Sequence, residues 1–279
     1  MSDRSLPSSE PTLADIARDI LALKFYILIG GLIGMICGAI LLALAIPHYK
    51  STMIIAPASP MTGAESSSLL ANDNLFALRY LVQRIGAGGG SDFQRFENVY
   101  TGPSVARILL KDPRIEQGLN ADKTFTFSKG EGSWNAEKLS EYLKDRVKLA
   151  SVGTTASKKL VYKHPDKEFG EYFLSGLHRI SDNLIRQNIR TDAKARVEYL
   201  REAVQSLNNP DHRRTLTTLL MEQERLLMLV SIDQPYAASV IEPASSTVKP
   251  DWPNFYLVYI GFIFLGMMAG FFIGIFRRS

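Results

Sequence analysis

The sequence predicts an α+β domain anchored by two transmembrane α-helices, one near each end of the chain. The first observation is a pair of uncharged apolar stretches of 22 residues, 25–46 and 255–276. The second is that almost everything between them is polar, with strand and helix patterns mixed. At a rise of about 1.5 Å per residue, each stretch makes a helix of about 33 Å, long enough to cross the hydrocarbon core of a bilayer.

Charge and cysteine content narrow the functions that this chain can carry. Between the two stretches lie 27 of the 32 Lys and Arg and 24 of the 28 Asp and Glu, which leaves a net charge of +3 on residues 47–254. That excess is too small to indicate a nucleic-acid partner. The only cysteine, Cys37, lies inside the first stretch, so the sequence excludes an intrachain disulfide and a thiolate metal site.

Basic residues beside the apolar stretches predict the orientation of the chain in the membrane. Arg18 and Lys24 precede the first stretch, and Arg277 and Arg278 follow the second. Under the positive-inside rule we expect both ends of the chain in the cytoplasm. The polar domain, residues 47–254, is then expected in the periplasm.

The N-terminal tail, residues 1–24, carries a short amphipathic pattern. Apolar side chains at helical spacing follow Thr12, at Leu13, Ile16, Ala17, Ile20 and Leu21. They predict a lead-in helix that lies on the membrane surface or docks a cytoplasmic partner. A cleaved signal peptide is the alternative, since Ala43-Leu44-Ala45 has the form of a cleavage site, but the long apolar stretch argues against cleavage.

Strand and helix patterns alternate through the polar domain. Strands are predicted at 49–56, 147–152, 158–163 and 237–242, and helices at 75–85, 103–110 and 136–146. Because the first and last strands lead to spans in one membrane, we expect them to pair antiparallel. A glycine-rich loop at 86–90 lacks the spacing of nucleotide-binding fingerprints and is predicted to be a connector.

The longest helical pattern outside the membrane predicts an arm at about residues 166–231. An apolar stripe runs to residue 207, and a second helix follows the turn at Asn208-Asn209-Pro210-Asp211. If continuous, the first helix is about 60 Å long. Interspersed acidic residues indicate a solvated face for the basic ones; contact with an acidic glycan or a neighbouring subunit is the alternative for Arg186, Arg190, Arg196 and Arg201.

Each apolar stretch carries a ladder of glycines at every fourth position. The ladders are Gly30, Gly34 and Gly38 in the first stretch and Gly266, Gly270 and Gly274 in the second. This spacing places the glycines on one helix face, where the missing side chains allow close approach of a neighbouring backbone. We expect the ladders to pack between the spans or between subunits.

The pattern of reactive side chains predicts no catalytic residue, cofactor or metal. The histidines lack metal-binding spacing and are predicted to lie on the surface, at His48, His164, His178 and His212. His164 and Asp166 flank a proline, but no nucleophile motif accompanies them. The sequence therefore favours a protein that is not an enzyme.

The segment before the second span, residues 243–253, is a proline-rich connector. Its spaced prolines, Pro243, Pro250 and Pro253, stiffen the approach to the membrane because proline fixes φ and cannot join a helix or a central strand. With the lead-in helix, the strand after the first span and the long helix, this connector resembles the polysaccharide co-polymerases, the Wzz-type chain-length determinants. The connector has fewer prolines, and the domain is shorter, than in many members.

The resemblance implies a homo-oligomeric ring in the bacterial inner membrane, with helices that project into the periplasm. It also implies a role in the length or export of a surface polysaccharide, an exopolysaccharide or the lipopolysaccharide O-antigen. The implied partners are a polymerase or exporter and the lipid-linked polysaccharide. Some members carry a fused tyrosine kinase after the second span, which is not expected here because only residues 277–279 follow.

Other function classes stay open at this point. A capsule-export adaptor that works with a transporter would share the resemblance. A periplasmic sensor would share the two spans but requires a cytoplasmic output domain. A glycan-active enzyme requires paired acidic residues in a cleft, which sequence spacing alone does not reveal.

Overall fold

The computed structural model describes residues 24–58, 89–128, 132–206 and 209–278. The chain divides into two compact units. The apolar unit comprises Met1–Pro47, Lys123–Ser128 and Pro250–Ser279, and the α+β unit comprises His48–Asp122 and Lys129–Lys249. The lead-in helix expected after Thr12 and the helix expected at 75–85 lie outside the described residues.

The apolar unit contains the two helices predicted as membrane spans. Helix α1 covers Lys24–Leu44 and helix α8 covers Phe255–Arg278, within two residues of the predicted limits. Both are long and apolar enough to cross a membrane, with mean hydropathies of 2.7 and 2.2 in their most apolar windows. Only 17% and 11% of those windows are buried, so these helices present apolar side chains outward, unlike core helices of a soluble domain.

A four-stranded antiparallel sheet forms the centre of the α+β unit. Its strands are β1 (Tyr49–Pro57), β2 (Lys148–Ser151), β3 (Lys158–His164) and β4 (Ala238–Ser246), in the order β2-β3-β1-β4. The first strand pairs with the last, with Ser51 opposite Ser246 and Pro57 opposite Ala238. The antiparallel pairing predicted for the two span-linked strands is therefore confirmed.

Four short helices accompany the sheet: α2 (Gly89–Val99), α3 (Pro103–Leu109), α4 (Pro113–Ala121) and α5 (Ala136–Arg146). Helix α5 begins as predicted, because the side chain of Asn135 accepts a hydrogen bond of 2.7 Å from the backbone N–H of Lys138. The prediction missed α4, because Asp112-Pro113 resembles a helix break but here caps and opens a helix. It was also wrong about part of the glycine loop, since α2 begins at Gly89.

The N-terminal half of the longest helix, α6 (Lys167–Ser206), packs on one face of the sheet. Apolar side chains fill this interface: Phe173, Leu174 and Leu177 from the helix, and Ile55, Leu160 and Tyr162 from the strands. Each fully buried apolar side chain of this size contributes about 1.5–3 kcal/mol. At Gly170 a Cβ would overlap the hydroxyl of Ser51, so this glycine allows the helix to approach β1 closely.

The predicted arm is confirmed as a pair of antiparallel helices. Helix α6 runs without a break for 40 residues, which corresponds to about 60 Å. Helix α7 covers Pro210–Ser231, and the side chain of Asn209 caps it by accepting hydrogen bonds from the backbone N–H groups of Asp211 and His212. Ala193 and Val197 on α6 and Val230 on α7 are buried along the arm.

The last strand is longer than the sequence predicted, and this corrects the start of the connector. β4 continues to Ser246, so Pro243 lies inside the strand and not in a separate connector. The pairing with β1 shifts register between Thr52 and Ile54, opposite the segment that contains Pro243. A proline has no backbone N–H for a ladder, and bulges and edge strands are where a sheet tolerates it.

Candidate functional site

The base of the arm is fastened to the start of β4 by two buried polar side chains of α6. The carboxylate of Asp182 accepts hydrogen bonds from the backbone N–H groups of Tyr236, Ala237 and Ala238, at 2.7–3.2 Å. One turn earlier, Nε2 of His178 lies 2.8 Å from the carbonyl oxygen of Ala238 and donates to it. Asp182 and His178 thus provide hydrogen-bond partners for three backbone N–H groups and one carbonyl oxygen at the start of β4.

Arg186, one turn further along α6, holds the loop that precedes β4. Its guanidinium donates to the carbonyl oxygen of Ile232 at 2.8 Å, to the Asn183 side chain at 2.6 Å and to the Asp233 carboxylate at 3.1 Å. His178, Asp182 and Arg186 therefore share one helix face at i, i+4 and i+8. Arg186, predicted as a possible arm contact, is engaged within its own chain.

Beside Arg186 lies an open cavity of about 270 Å³, which we call the arm-base pocket. Its walls are Arg186, Gln187 and Arg190 from α6, Val230 and Ser231 from α7, and Asp233 from the loop. All except Arg186 and Val230 are exposed. The charged lining groups are two guanidiniums and one carboxylate, so the pocket has a net positive charge.

The other arginines singled out from the sequence have different surroundings. Arg201 makes an ion pair with Glu224 of α7, with an N–O distance of 3.0 Å, on the exposed surface of the arm. Arg190 and Arg196 are exposed and form no ion pair with any residue in the described part of the chain. Of these two, only Arg190 lines the pocket.

A second polar network is buried in the α+β unit, and the sequence analysis missed it. Asp122 accepts a hydrogen bond from Nε2 of His48 at 3.0 Å and another from the Tyr142 hydroxyl at 2.6 Å. The hydroxyls of Tyr142 and Tyr162 lie 2.8 Å apart. Burial raises the pKa of Asp122, but the hydrogen bonds from His48 and Tyr142 outweigh it and hold that pKa below its ordinary value.

The surface placement predicted for the histidines is wrong for three of the four. His48, His164 and His178 are buried, with relative exposures of 5%, 1% and 5%. His164 lies between Tyr162 and Phe169 at ring-centroid distances of 5.8 and 4.4 Å, and its Nε2 contacts the carbonyl oxygen of Gly118 at 3.0 Å. Only His212, in the first turn of α7, is exposed.

In the apolar unit, the glycine ladders of α1 and α8 face each other within one chain. A Cβ on Gly30 would overlap the carbonyl oxygen of Gly266, and a Cβ on Gly266 would lie 2.9 Å from Cα of Gly34. A Cβ on Gly270 would overlap the backbone of Tyr26. Gly38 lies against the Phe262 side chain, and Gly274 is buried.

The two remaining connector prolines, Pro250 and Pro253, lie in the apolar unit. Between them, the Trp252 ring packs edge-on against Phe125 with a centroid distance of 5.9 Å. Phe125 belongs to the short segment Lys123–Ser128, which bonds to the end of α1: the backbone N–H of Thr126 donates to the carbonyl oxygen of Leu44 at 3.0 Å. The segment Lys123–Ser128 and the part of the connector from Pro250 onward thus both belong to the apolar unit.

Comparison with known proteins finds similarity to solved structures. No protein-family model matches it, and no curated protein matches it. It is similar to a full-length bacterial polysaccharide co-polymerase, at 14% identity and a TM-score of 0.45, over 96% of this chain and 97% of that one. It is also similar to a fragment of WzzB, a polysaccharide co-polymerase from Salmonella Typhimurium, at 12% identity and a TM-score of 0.42, over 74% of this chain and 99% of that fragment.

Proposed function

We propose that this protein is a non-enzymatic scaffold of the bacterial inner membrane that regulates the chain length, or assists the export, of a surface polysaccharide. The observation that carries the proposal is the pairing of β1 with β4. It joins the strand that follows one span to the strand that precedes the other, and both lie beside a helix of 40 residues. This arrangement suits a protein that holds a long arm on a doubly anchored base.

Basic residues at the ends of the spans support the membrane topology that we propose. Arg277 and Arg278 lie at the C-terminal end of α8, and Lys24 opens α1, so the positive-inside rule favours the cytoplasm for both ends of the chain. The α+β unit, which lies between the spans in sequence, is then periplasmic. A periplasmic domain can meet a growing polymer that is still attached to its lipid carrier.

An oligomeric ring is supported by apolar side chains on the outside of the arm. Met221 and Met228 on α7 are 58% and 70% exposed, and Tyr199 on α6 is 71% exposed. Met221 and Met228 lie seven residues apart and so share one face of α7, and exposed apolar side chains on one face commonly mark protein interfaces. We propose that a second copy of the chain covers this surface, and that a polymerase or exporter binds the assembled ring.

The environments of two buried carboxylates, Asp122 and Asp182, fit a scaffold without catalysis. Asp182 binds three backbone N–H groups, and Asp122 binds His48 and Tyr142. Both carboxylates hold other parts of the fold together. Catalytic acids and bases instead face a cleft where a substrate can reach them.

Deleting the gene and separating the surface polysaccharide on a gel tests the proposal. A changed length distribution, restored by the wild-type gene in trans, supports chain-length regulation. Loss of all surface polymer with intracellular accumulation assigns the protein to export. An unchanged polysaccharide pattern contradicts both.

A further inference from the structure

We propose that the arm-base pocket binds an oxyanion group, a carboxylate or phosphate, carried by a sugar unit of the polysaccharide. This inference rests on the proposed function for the identity of the polymer. Its geometric basis is independent of that function, because it comes from the residues that line the cavity. The pocket would hold one anionic sugar of the passing chain where the arm meets the sheet.

The size and opening of the cavity fit one unit of a polymer. Its volume of about 270 Å³ lies just below the usual range of small-molecule sites. Four of its six lining residues, Gln187, Arg190, Ser231 and Asp233, are exposed. The cavity is therefore open to solvent, and one unit of a chain can enter it.

Arg186 provides a fixed cationic wall. Its guanidinium is held by the Ile232 carbonyl oxygen and by the side chain of Asn183, and its side chain is only 18% exposed. A donor group that is already ordered loses little conformational entropy when a ligand binds. The planar guanidinium also matches the geometry of carboxylate and phosphate oxygens.

The Asp233 carboxylate already occupies the position that a ligand oxyanion would take against Arg186. The two groups are 3.1 Å apart, and the Asp233 side chain is fully exposed. An ion pair with one fully exposed partner contributes little to stability. A ligand can therefore displace Asp233 at a small cost in free energy. The ion pair also shows that the Arg186 guanidinium can bind a carboxylate at this position.

Arg190 supplies the second charge. It lies one helical turn after Arg186, on the same face of α6, and pairs with no acidic side chain among the described residues. Gln187 and Ser231 add an amide and a hydroxyl that can bind sugar hydroxyls. Together these groups favour an anionic sugar over a neutral one.

The test measures binding of defined oligosaccharides to the purified full-length protein in nanodiscs by isothermal titration calorimetry. The probes are a hexuronate tetrasaccharide, its neutral methyl ester and a phosphate-substituted tetrasaccharide. We expect at least one anionic probe to bind about tenfold more tightly than the ester, as the loss of a charge-assisted hydrogen bond implies. The tighter of the two anionic probes identifies the source of the oxyanion.

Three variants localise the binding. Arg190→Gln should weaken binding of the anionic probe about tenfold. Arg196 is an exposed arginine on the same helix but outside the pocket, so Arg196→Gln should leave that affinity unchanged. Asp233→Asn removes the competing carboxylate and should strengthen binding. Equal affinity for the anionic probes and the ester, or an Arg190→Gln protein that binds like the wild type, overturns the inference.

The outcome is separable from that of the gene deletion. If the deletion alters polymer length but no anionic probe binds, the pocket assignment is wrong and the proposed function stands. If an anionic probe binds through Arg190 but the deletion leaves the polysaccharide unchanged, the pocket stands and the proposed function is wrong. Each result therefore decides one proposal without the other.

Discussion

The carboxylate of Asp182 accepts a hydrogen bond of 2.7 Å from the backbone N–H of Ala237, 55 residues further along the chain. Its oxygens also accept hydrogen bonds from the backbone N–H groups of Tyr236 and Ala238, so one side chain satisfies three consecutive donors. Asp182 is 4% exposed, and water cannot replace it. The arm helix and the strand that leads toward the second span are thus joined by a contact that neither element could make alone.

Replacing Asp182 with Asn should lower the free energy of unfolding by about 1–3 kcal/mol. The amide keeps one oxygen acceptor but turns an N–H group toward backbone donors, so at least one buried N–H loses its partner. Thermal unfolding of the purified full-length protein measures the change. Asp192→Asn is the matched control, because Asp192 lies on the same helix and is exposed. Equal stability of the two variants would show that the Asp182 contacts are dispensable.

Local signals predicted much of this fold. The turn that contains Asn209 and Pro210 placed the start of α7 correctly, because capping depends on neighbouring residues only. The continuity of α6 through Gly170 was harder to predict, since glycine weakens a helix on its own. Close packing of that glycine on Ser51 explains its presence, and this packing is a tertiary property.

The candidate site was only partly predictable for the same reason. The arginines of the arm could be named, but the difference between Arg186, which holds a loop, and Arg190, which is unpaired among the described residues, depends on where residues 232–234 return. The histidines were predicted on the surface because no motif surrounds them in sequence. Their actual partners, such as Asp122 for His48, are separated by 74 residues.

The stability of the α+β unit should fall as the pH drops below about 6.5. Burial lowers the pKa of His164 and of His178 below their ordinary value of 6.5. Below pH 6.5 these histidines bind protons in the unfolded chain but stay neutral in the folded protein. The stability that they contribute is therefore complete above about pH 6.5, and it is lost as the pH falls to their lowered pKa in the folded protein. The pKa of Asp122 is also lowered in the folded protein, so protonation of Asp122 reduces stability too, but only in much stronger acid.

Thermal unfolding at about pH 7.5 and about pH 5.5 checks this prediction, with the lower Tm expected at the lower pH. His178→Gln should reduce the difference, because the amide can still donate to the Ala238 carbonyl oxygen but does not titrate. His212→Gln, at an exposed position, should leave the difference unchanged. A Tm that rises on acidification would contradict the assignment of buried neutral histidines.

The two tyrosine hydroxyls near Asp122 should differ in their contribution to stability. Tyr142 donates to the Asp122 carboxylate at 2.6 Å, so its own oxygen accepts from Tyr162. Tyr142→Phe leaves both a buried carboxylate oxygen and a buried hydroxyl with fewer partners, whereas Tyr162→Phe removes one donor only. We expect the loss for Tyr142→Phe to be about 1–3 kcal/mol and clearly the larger.

Unfolding followed by tryptophan fluorescence can resolve this pair, because Trp134 packs edge-on against Tyr142 with a centroid distance of 5.4 Å. The double variant supplies the coupling free energy between the two hydroxyls. Additive effects, or a larger loss for Tyr162→Phe, would show that the proton of Tyr142 points elsewhere.

Substitution of Gly34 by Leu should separate α1 from α8. A Cβ at this position would overlap the carbonyl oxygen of Phe262, and the backbone of a helix cannot yield as a side chain can. Gly261→Leu is the control, since nothing described lies within 4 Å of a Cβ there.

Cysteine pairs introduced at the outer ends of the two helices, in a Cys37→Ser background, report the proximity of α1 and α8 by oxidative cross-linking in membranes. We expect cross-linking to be lost in Gly34→Leu and retained in Gly261→Leu. Equal cross-linking in both would mean that the glycine faces do not hold the two helices together.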